Sequence, residues 1–368
     1  MLFRSPGRPR SAPLWCRPRT ARTAAVGTTV VQWTDPDRAE TSTPDTGDRR
    51  TVVVQLWYPA QPVTPGAPRA QYLGRTRQEA DTVAAAEADY LGVPAFLLDG
   101  PARARSHAVF DAAPAAGRFP LVLFSPGLGG LRTQNTAWAE DLASRGYVVA
   151  GVDHPYDSAA VVLADGRTVR TQVAASGDLK RTDWIDLRSA DLSFVLTQLA
   201  QGELTGPLAG RLDTVRVAAT GHSLGGAAAM RAAERDPRFT AVINLDGGPD
   251  PDQAPLRQPV LALTHAIEDR ADADYVALLS QILERGTATS YRLTVPGSAH
   301  LTFTDAPLYL PPVPAVVGSL GRDESVRMTT GTCAAFLDAT LRGRSVDLPA
   351  TLSRHGDLRV HPPAAALK

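Results

Sequence analysis

The sequence predicts an α/β protein built on a mostly parallel sheet with helices on both faces. Three observations predict it. Residues 119–124 (FPLVLF) and 147–152 (YVVAGV) are apolar almost throughout, as strands are when helices cover both faces of a parallel sheet. Stretches of helical composition alternate with such runs, which is the rhythm of β-α-β units. A Gly-His-Ser-Leu-Gly pentapeptide at 221–225 falls where a strand gives way to a helix.

In chain order, residues 28–33 and 51–58 read as strands around a Pro-, Thr-, Asp- and Gly-rich turn, an antiparallel pair at the N-terminal edge of the sheet. Residues 77–92 have helical composition inside a 59–115 segment that is a candidate lid or insertion. Strand 119–124 leads to a helix over 132–145 that stops at Gly146, a natural C-terminal glycine. Strand 147–152 follows, then a small hairpin near 164–167. Residues 183–201 form an amphipathic helix with Trp184, Leu187, Leu192, Val195 and Leu199 near one face. Strand 215–220, helix 223–234, strands 240–245, 259–264 and 290–295, and a last helix over 323–342 complete the pattern. The expected organisation is a disordered basic lead over 1–24, one domain over 25–344 and a loosely attached tail over 345–368.

Composition narrows the function. The chain has 38 basic and 38 acidic residues, for zero formal charge. It therefore lacks the electrostatic footprint of a nucleic-acid binder, and a small or neutral substrate suits it better than a polyanion. No apolar run reaches the roughly 18–20 residues needed to span a bilayer, so integral membrane association is not expected. Arg4, Arg8, Arg10, Arg17, Arg19 and Arg22 are not followed by the apolar core of a secretory signal. A cytoplasmic protein is expected, with secretion left open if translation starts further along. Cys16 and Cys333 make neither a metal-ligand pattern nor a disulfide framework. Nothing in the sequence sets the oligomeric state.

The pentapeptide carries the chemistry. A serine hydroxyl is a poor nucleophile until a base accepts its proton. The G-x-S-x-G turn presents the serine on a strained strand-to-helix bend that needs small neighbours, so Ser223 is the candidate nucleophile. One oxyanion donor is the backbone N–H of the next residue, Leu224; the second comes from a loop after an earlier strand. Residues 125–130 (SPGLGG) supply that loop, with Leu128 as the nominated donor and Gly127 or Gly129 as alternatives. The order Ser, acid, His selects His300 among seven histidines. His107 and His154 precede the serine, His222 lies inside the turn, His265 precedes the last sheet strand, and His355 and His361 lie in the tail. Two places can supply the acid: Asp246, after strand 240–245, and Glu268 or Asp269, after the next one. A single carboxylate delivered by an apolar strand to a Gly-Gly turn favours Asp246 slightly.

Together these features predict the α/β-hydrolase fold. Residues 25–29 (AVGTT), 54–60 (VQLWYPA), 124–130 (FSPGLGG), 141–147 (DLASRGY), 221–226 (GHSLGG), Leu245-Asp246 and 297–300 (GSAH) resemble the platelet-activating factor acetylhydrolase family of phospholipases A2 across roughly residues 26–343. The resemblance implies a serine esterase that removes short acyl groups, including the sn-2 acyl group of phospholipids, without calcium or any cofactor. It implies Asp246 as the triad acid beside Ser223 and His300, and the Leu128 and Leu224 amides as oxyanion donors. Two departures stand out. Pro126 occupies the place before the first loop glycine where the family commonly has His, and Gly247-Gly248-Pro249 follows the acid where the family often has an aromatic. A peptidase or acyltransferase on the same triad, or a non-catalytic hydrolase-fold binding protein, are the rival readings.

Overall fold

The computed structural model describes residues 24–173, 180–202 and 208–364. Residues 1–23 of the expected basic lead, Cys16 among them, lie outside the described residues. Two long strands, β1 (Ala25–Ala39) and β2 (Arg49–Ala60), open the chain and pair antiparallel. Then follow β3 (Arg69–Gln71), α1 (Arg77–Leu91), α2 (Asp99–Arg103) and β4 (Arg105–Phe110). The alternating part begins with β5 (Phe119–Ser125), α3 (Thr136–Ser144) and β6 (Val148–Asp153). It continues through the hairpin of β7 (Ala160–Val162) and β8 (Thr168–Arg170) to α4 (Arg181–Gln201), β9 (Leu212–His222), α5 (Leu224–Arg235), β10 (Ala241–Leu245), β11 (Val260–Thr264), α6 (Arg270–Glu284) and β12 (Ser290–Thr294). The short helices α7 (Ala306–Tyr309) and α8 (Pro314–Val317) precede α9 (Arg322–Thr340), α10 (Leu348–Leu352) and β13 (Asp357–His361).

Eleven strands form one sheet in the order β13-β12-β11-β10-β9-β5-β6-β2-β1-β4-β3. The six from β12 to β6 run parallel, and β2 and β1 form the antiparallel edge expected from the sequence. Period-two alternation divides the core between the two faces. On β5, Leu121 and Leu123 face one side, where they join Leu192, Val195 and Leu196 of α4 and Met230 of α5. Val122 and Phe124 face the other, with Trp138 and Leu142 of α3 and Phe336 and Leu337 of α9. β6 and β9 flank β5 on opposite sides, so strand order reverses there. The crevice outside the carboxyl ends at such a switch point is where open α/β sheets place their ligands.

Segment 59–115 is largely integral to the fold. β4 adds parallel to β1, and β3 antiparallel to β4. α1 is capped by Thr76, which accepts from Glu79 N, and by Gly92 at φ 64°. Its Ala80, Ala84 and Ala88, spaced on one helix face, pack closely with Leu98, Leu131, Leu310 and Val317. Among the described residues no helix is long and apolar enough to cross a membrane.

The expected loose tail is corrected by the structure. β13 pairs antiparallel with β12, from Ser290 opposite His361 to Thr294 opposite Asp357, and closes that edge of the sheet. Leu348 and Leu352 of α10 are buried in the core beneath it. Leu352→Ala should therefore lower the unfolding free energy in urea by about 2–5 kcal/mol, as for a core leucine. A change within about 0.5 kcal/mol, typical of surface sites, would restore the loose-tail reading.

Candidate active site

Ser223 sits between β9 and α5 with φ 54° and ψ −124°, a positive-φ conformation that costs energy for any residue with a side chain. Packing enforces it. A Cβ on Gly221 would strike the Gly225 carbonyl, and one on Gly225 would strike the carbonyls of Ser125 and Pro126. The glycines let the first turn of α5 press against the end of β5. Ser223 N donates to Leu245 O at 2.9 Å, which ties the elbow to β10.

His300 follows β12 through a turn held by Ser298 Oγ donating to Val295 O at 2.7 Å and Ala299 N donating to Thr302 Oγ1 at 2.8 Å. Its Nε2 lies 2.9 Å from Ser223 Oγ, and its Nδ1 lies 2.6 Å from Asp246 Oδ2. Asp246 is buried at the end of β10 with φ 57°. Asn244 brackets the turn beneath it, accepting from Gly247 N at 2.6 Å and donating to Gly247 O at 2.7 Å. Burial alone would raise the Asp246 carboxyl. The hydrogen bonds from His265 and His300 outweigh it and hold the group well below the usual carboxylate range. The other candidate acids stand elsewhere: Asp269 caps α6 by accepting from Asp272 N, and Glu268 N donates to Asp272.

Two further histidines reach this constellation. His222 is buried inside the elbow, and its Nε2 donates to His300 O at 2.9 Å. Burial, then the neighbouring His300, push it down to about 3, so it is a neutral prop under the His300 backbone. His265, set aside in the sequence for preceding the last sheet strand, lies on the far side of Asp246. Its backbone N donates to Asp246 Oδ1 at 3.0 Å, and its Nδ1 lies 2.7 Å from Oδ2. The carboxyl end of β11 lies beside that of β10, with Leu263 paired to Leu245, and so brings His265 there. The signal that could have found it is one His directly after the strand next to the acid. Asp246, His265 and His300 are also the described residues whose donor atoms converge closely enough to raise the question of a metal ion. Each Nδ1 is directed at the carboxylate, so hydrogen bonding accounts for the cluster.

The loop after β5 presents its amides selectively. Gly127 N donates to Gln134 Oε1 at 3.0 Å and Gly129 N to Asp157 Oδ1 at 3.2 Å, so both alternative oxyanion donors are engaged. No acceptor for Leu128 N lies among the described residues. The Leu224 N–H opens α5, in the first turn, where a helix supplies no partner. The Leu128 and Leu224 side chains share one apolar cluster with Trp184, Ile185 and Ala227. Arg188, fully buried, donates to the carbonyls of Pro126 and Gly127 and to both oxygens of Asp157. It draws the loop carbonyls inward.

A serine on a strand–helix elbow, with His and Asp delivered by later strand ends of an open, mostly parallel sheet, defines the α/β-hydrolase class. The family model for platelet-activating factor acetylhydrolase, isoform II, matches residues 43–201 and 205–343, and the chain belongs to that family. A probable 1-alkyl-2-acetylglycerophosphocholine esterase of Arthroderma benhamiae is 31% identical over 198 residues, 51% of this chain and 49% of that one. The platelet-activating factor acetylhydrolase of Gallus gallus is 27% identical over 245 residues, 55% and 56% of the two chains. The chain thus spans about half the length of the curated relatives it matches. A solved ferulic acid esterase from Streptomyces cinnamoneus superposes with a TM-score of 0.77 at 32% identity, covering 94% of this chain and 98% of that one.

The site carries its own pH signature. Hydrogen bonding to Asp246 outweighs burial and pushes His265 up to about 9 from 6.5. A raised histidine stabilises the fold fully below its unfolded value and loses that contribution as pH climbs through the folded value. Urea stability should therefore decline from about pH 6.5 toward 9, and His265→Asn should flatten that decline. An equal slope in both proteins would remove His265 as its source.

Proposed function

We propose that this chain is a serine esterase that hydrolyses short-chain carboxylic esters through an acyl-enzyme on Ser223. The observation that carries the reading is the line Ser223 Oγ, His300 Nε2, His300 Nδ1, Asp246 Oδ2, with links of 2.9 and 2.6 Å. His300 takes the Ser223 proton as the hydroxyl attacks the ester carbonyl. The Leu128 and Leu224 amides receive the oxyanion, each such donor being worth about 3 kcal/mol. His300 then protonates the leaving alcohol and activates the water that releases the acid, while Asp246 stays ionised and orients it.

The substrate we propose is the sn-2 acetyl or other short acyl group of a glycerophospholipid, which the names of the family relatives support. A second reading is an ester of a hydroxycinnamic acid such as ferulic acid. It is favoured by one observation: the ferulic acid esterase matches nearly the whole of both chains, whereas the acetylhydrolases match about half. Peptidase or acyltransferase chemistry on the same residues, and a non-catalytic binding role, remain as outcomes of the test.

That test compares wild type with Ser223→Ala on p-nitrophenyl esters from acetyl to dodecanoyl, a 2-acetyl glycerophosphocholine, methyl ferulate and an anilide. Expected are turnover that peaks at short acyl chains, phospholipid hydrolysis and a loss of at least about 10⁴-fold in the variant. Preference for methyl ferulate would select the second reading. Anilide cleavage, or turnover that needs an added alcohol acceptor, would select the peptidase or the acyltransferase. Equal rates in the two proteins, with no labelling of Ser223 by a fluorophosphonate, would leave the binding role.

A further inference from the structure

His265 is held in a way that neither orienting His300 nor building the core requires. Its Nδ1 lies 2.7 and 2.9 Å from the two Asp246 oxygens, and its Nε2 lies 3.0 Å from Asp272 Oδ1. Ionised carboxylates only accept hydrogen bonds. An imidazole set between two of them satisfies both contacts only with a hydrogen on each nitrogen, which makes it a cation. Asp272 is itself fixed, because its Oδ2 accepts from Glu268 N at 2.9 Å and its N donates to Asp269 Oδ1 at 2.9 Å in the cap of α6. Tyr275, one turn along α6, stacks on the His265 ring with centroids 6.3 Å apart and planes 14° apart, and its hydroxyl lies 3.4 Å from Asp246 Oδ1. Asp246 thus receives His300 on one side and a fixed charged partner on the other.

We infer that His265 is a positioning residue, an imidazolium at neutral pH that fixes the Asp246 carboxylate and offsets part of its charge, and so extends toward lower pH the range over which the Ser223–His300 pair works. The groups that face His265 are few. Asp246 comes from the end of β10, Asp272 and Tyr275 from α6, and His300 from the loop after β12, with ring centroids 6.3 Å away. Behind His300 stands His222, centroid to centroid 4.7 Å, which is neutral. A positive charge at His265 opposes a second one at His300 across this short, partly buried path. The same offset weakens the carboxylate's hold on the His300 cation that forms during attack. The arrangement therefore trades some maximal rate for activity at lower pH.

The inference rests on the reading of Ser223 and His300 as the working pair. The test is the pH profile of kcat/KM on p-nitrophenyl acetate for wild type, His265→Asn, His265→Ala and Asp272→Asn, with Ser223→Ala as control. Asn keeps a neutral donor near the place of Nδ1. In His265→Asn the acidic limb should move up by about 0.5 pH or more, whatever the change in plateau kcat. Asp272→Asn, which leaves the triad untouched and His265 charged beside Asp246, removes the negative charge on the far side of that cation and should move the limb the opposite way, down, by less; it decides the matter if the His265 variants fail to fold. His265→Ala should also lower kcat about tenfold or more, because Asp246 then loses a fixed donor. Acidic limbs that coincide with wild type in both His265→Asn and Asp272→Asn would overturn the inference, even if kcat fell, since a purely structural role lowers the rate without moving the limb. Full activity in Ser223→Ala would instead overturn the reading on which it rests.

Discussion

The site depends on one steric constraint: the first turn of α5 must lie against the backbone at the end of β5. Gly221 and Gly225 permit this because neither has a Cβ to collide with the facing carbonyls. Remove that closeness and three things are lost together. Ser223 loses the tight turn that holds its side chain up, Leu224 N moves away from the loop that carries Leu128, and Ser223 N loses Leu245 O on β10. The strain at Ser223 persists because the surrounding backbone over-determines it. Asp246, also at positive φ, is held in the same manner by Asn244, whose amide grips Gly247 on both its N–H and its carbonyl. Asn244 also fills the space beside Gly226, so the turns that carry Ser223 and Asp246 are braced by one buried side chain.

Beneath the loop after β5 lies an unusual amount of buried charge. Arg188 and Asp157 are fully buried as a pair. Beside them Ser125 Oγ lies 2.9 Å from His154 Nε2, His154 Nδ1 lies 2.8 Å from Asp191, and Arg50 bridges Asp191 to Glu40. Ser125, His154 and Asp191 reproduce the residue types of a catalytic triad, yet all three are sealed from solvent. Buried ion pairs contribute little net stability, because desolvation offsets most of their attraction. What this network does is geometric: it fixes the carbonyls of Pro126 and Gly127 and engages the amide of Gly129. The loop is shaped from behind by Arg188, which holds the Pro126 and Gly127 carbonyls.

Legibility in the sequence followed locality. The elbow was readable because everything it needs lies within five residues. His300 was readable because chain order excluded the other histidines. The acid stayed open between Asp246 and Glu268 or Asp269, because two neighbouring strands both end near carboxylates. Only the folded chain shows that Asp269 caps α6 while Asp246 meets His300. The loop donor stayed open for the same reason, since Gln134 and Asp157, which engage the glycine amides, come from other parts of the chain. His265 was hidden because its partner lies 19 residues away on an adjacent strand. β13 was hidden because a short strand with largely exposed side chains (DLRVH) reads as loop until β12 is there to pair with it. Helix α6 carries a capping box at Asp269 and Asp272, yet its acidic, Ala-rich start masked an apolar face that begins only at Tyr275.

The two sides of the site are built from different materials. The acid–base side is polar and closely tied: Asp246 has His300, the side chain and backbone of His265, and Tyr275 around it, and His300 rests on His222. A substitution there disturbs several hydrogen bonds at once, and such coupled groups do not respond independently. The opposite side, around Leu128, Trp184, Ile185 and Leu224, is apolar and held by packing, which tolerates a change of shape more readily than a polar network tolerates a lost partner. Gly247 and Gly248 keep the turn after the acid free of side chains. On the proposed reading, the acyl and alcohol groups of the substrate are selected by these apolar and open surfaces while the charge arrangement around Asp246 stays constant. Substrate choice can then change without rebuilding the part of the molecule that sets its pH range.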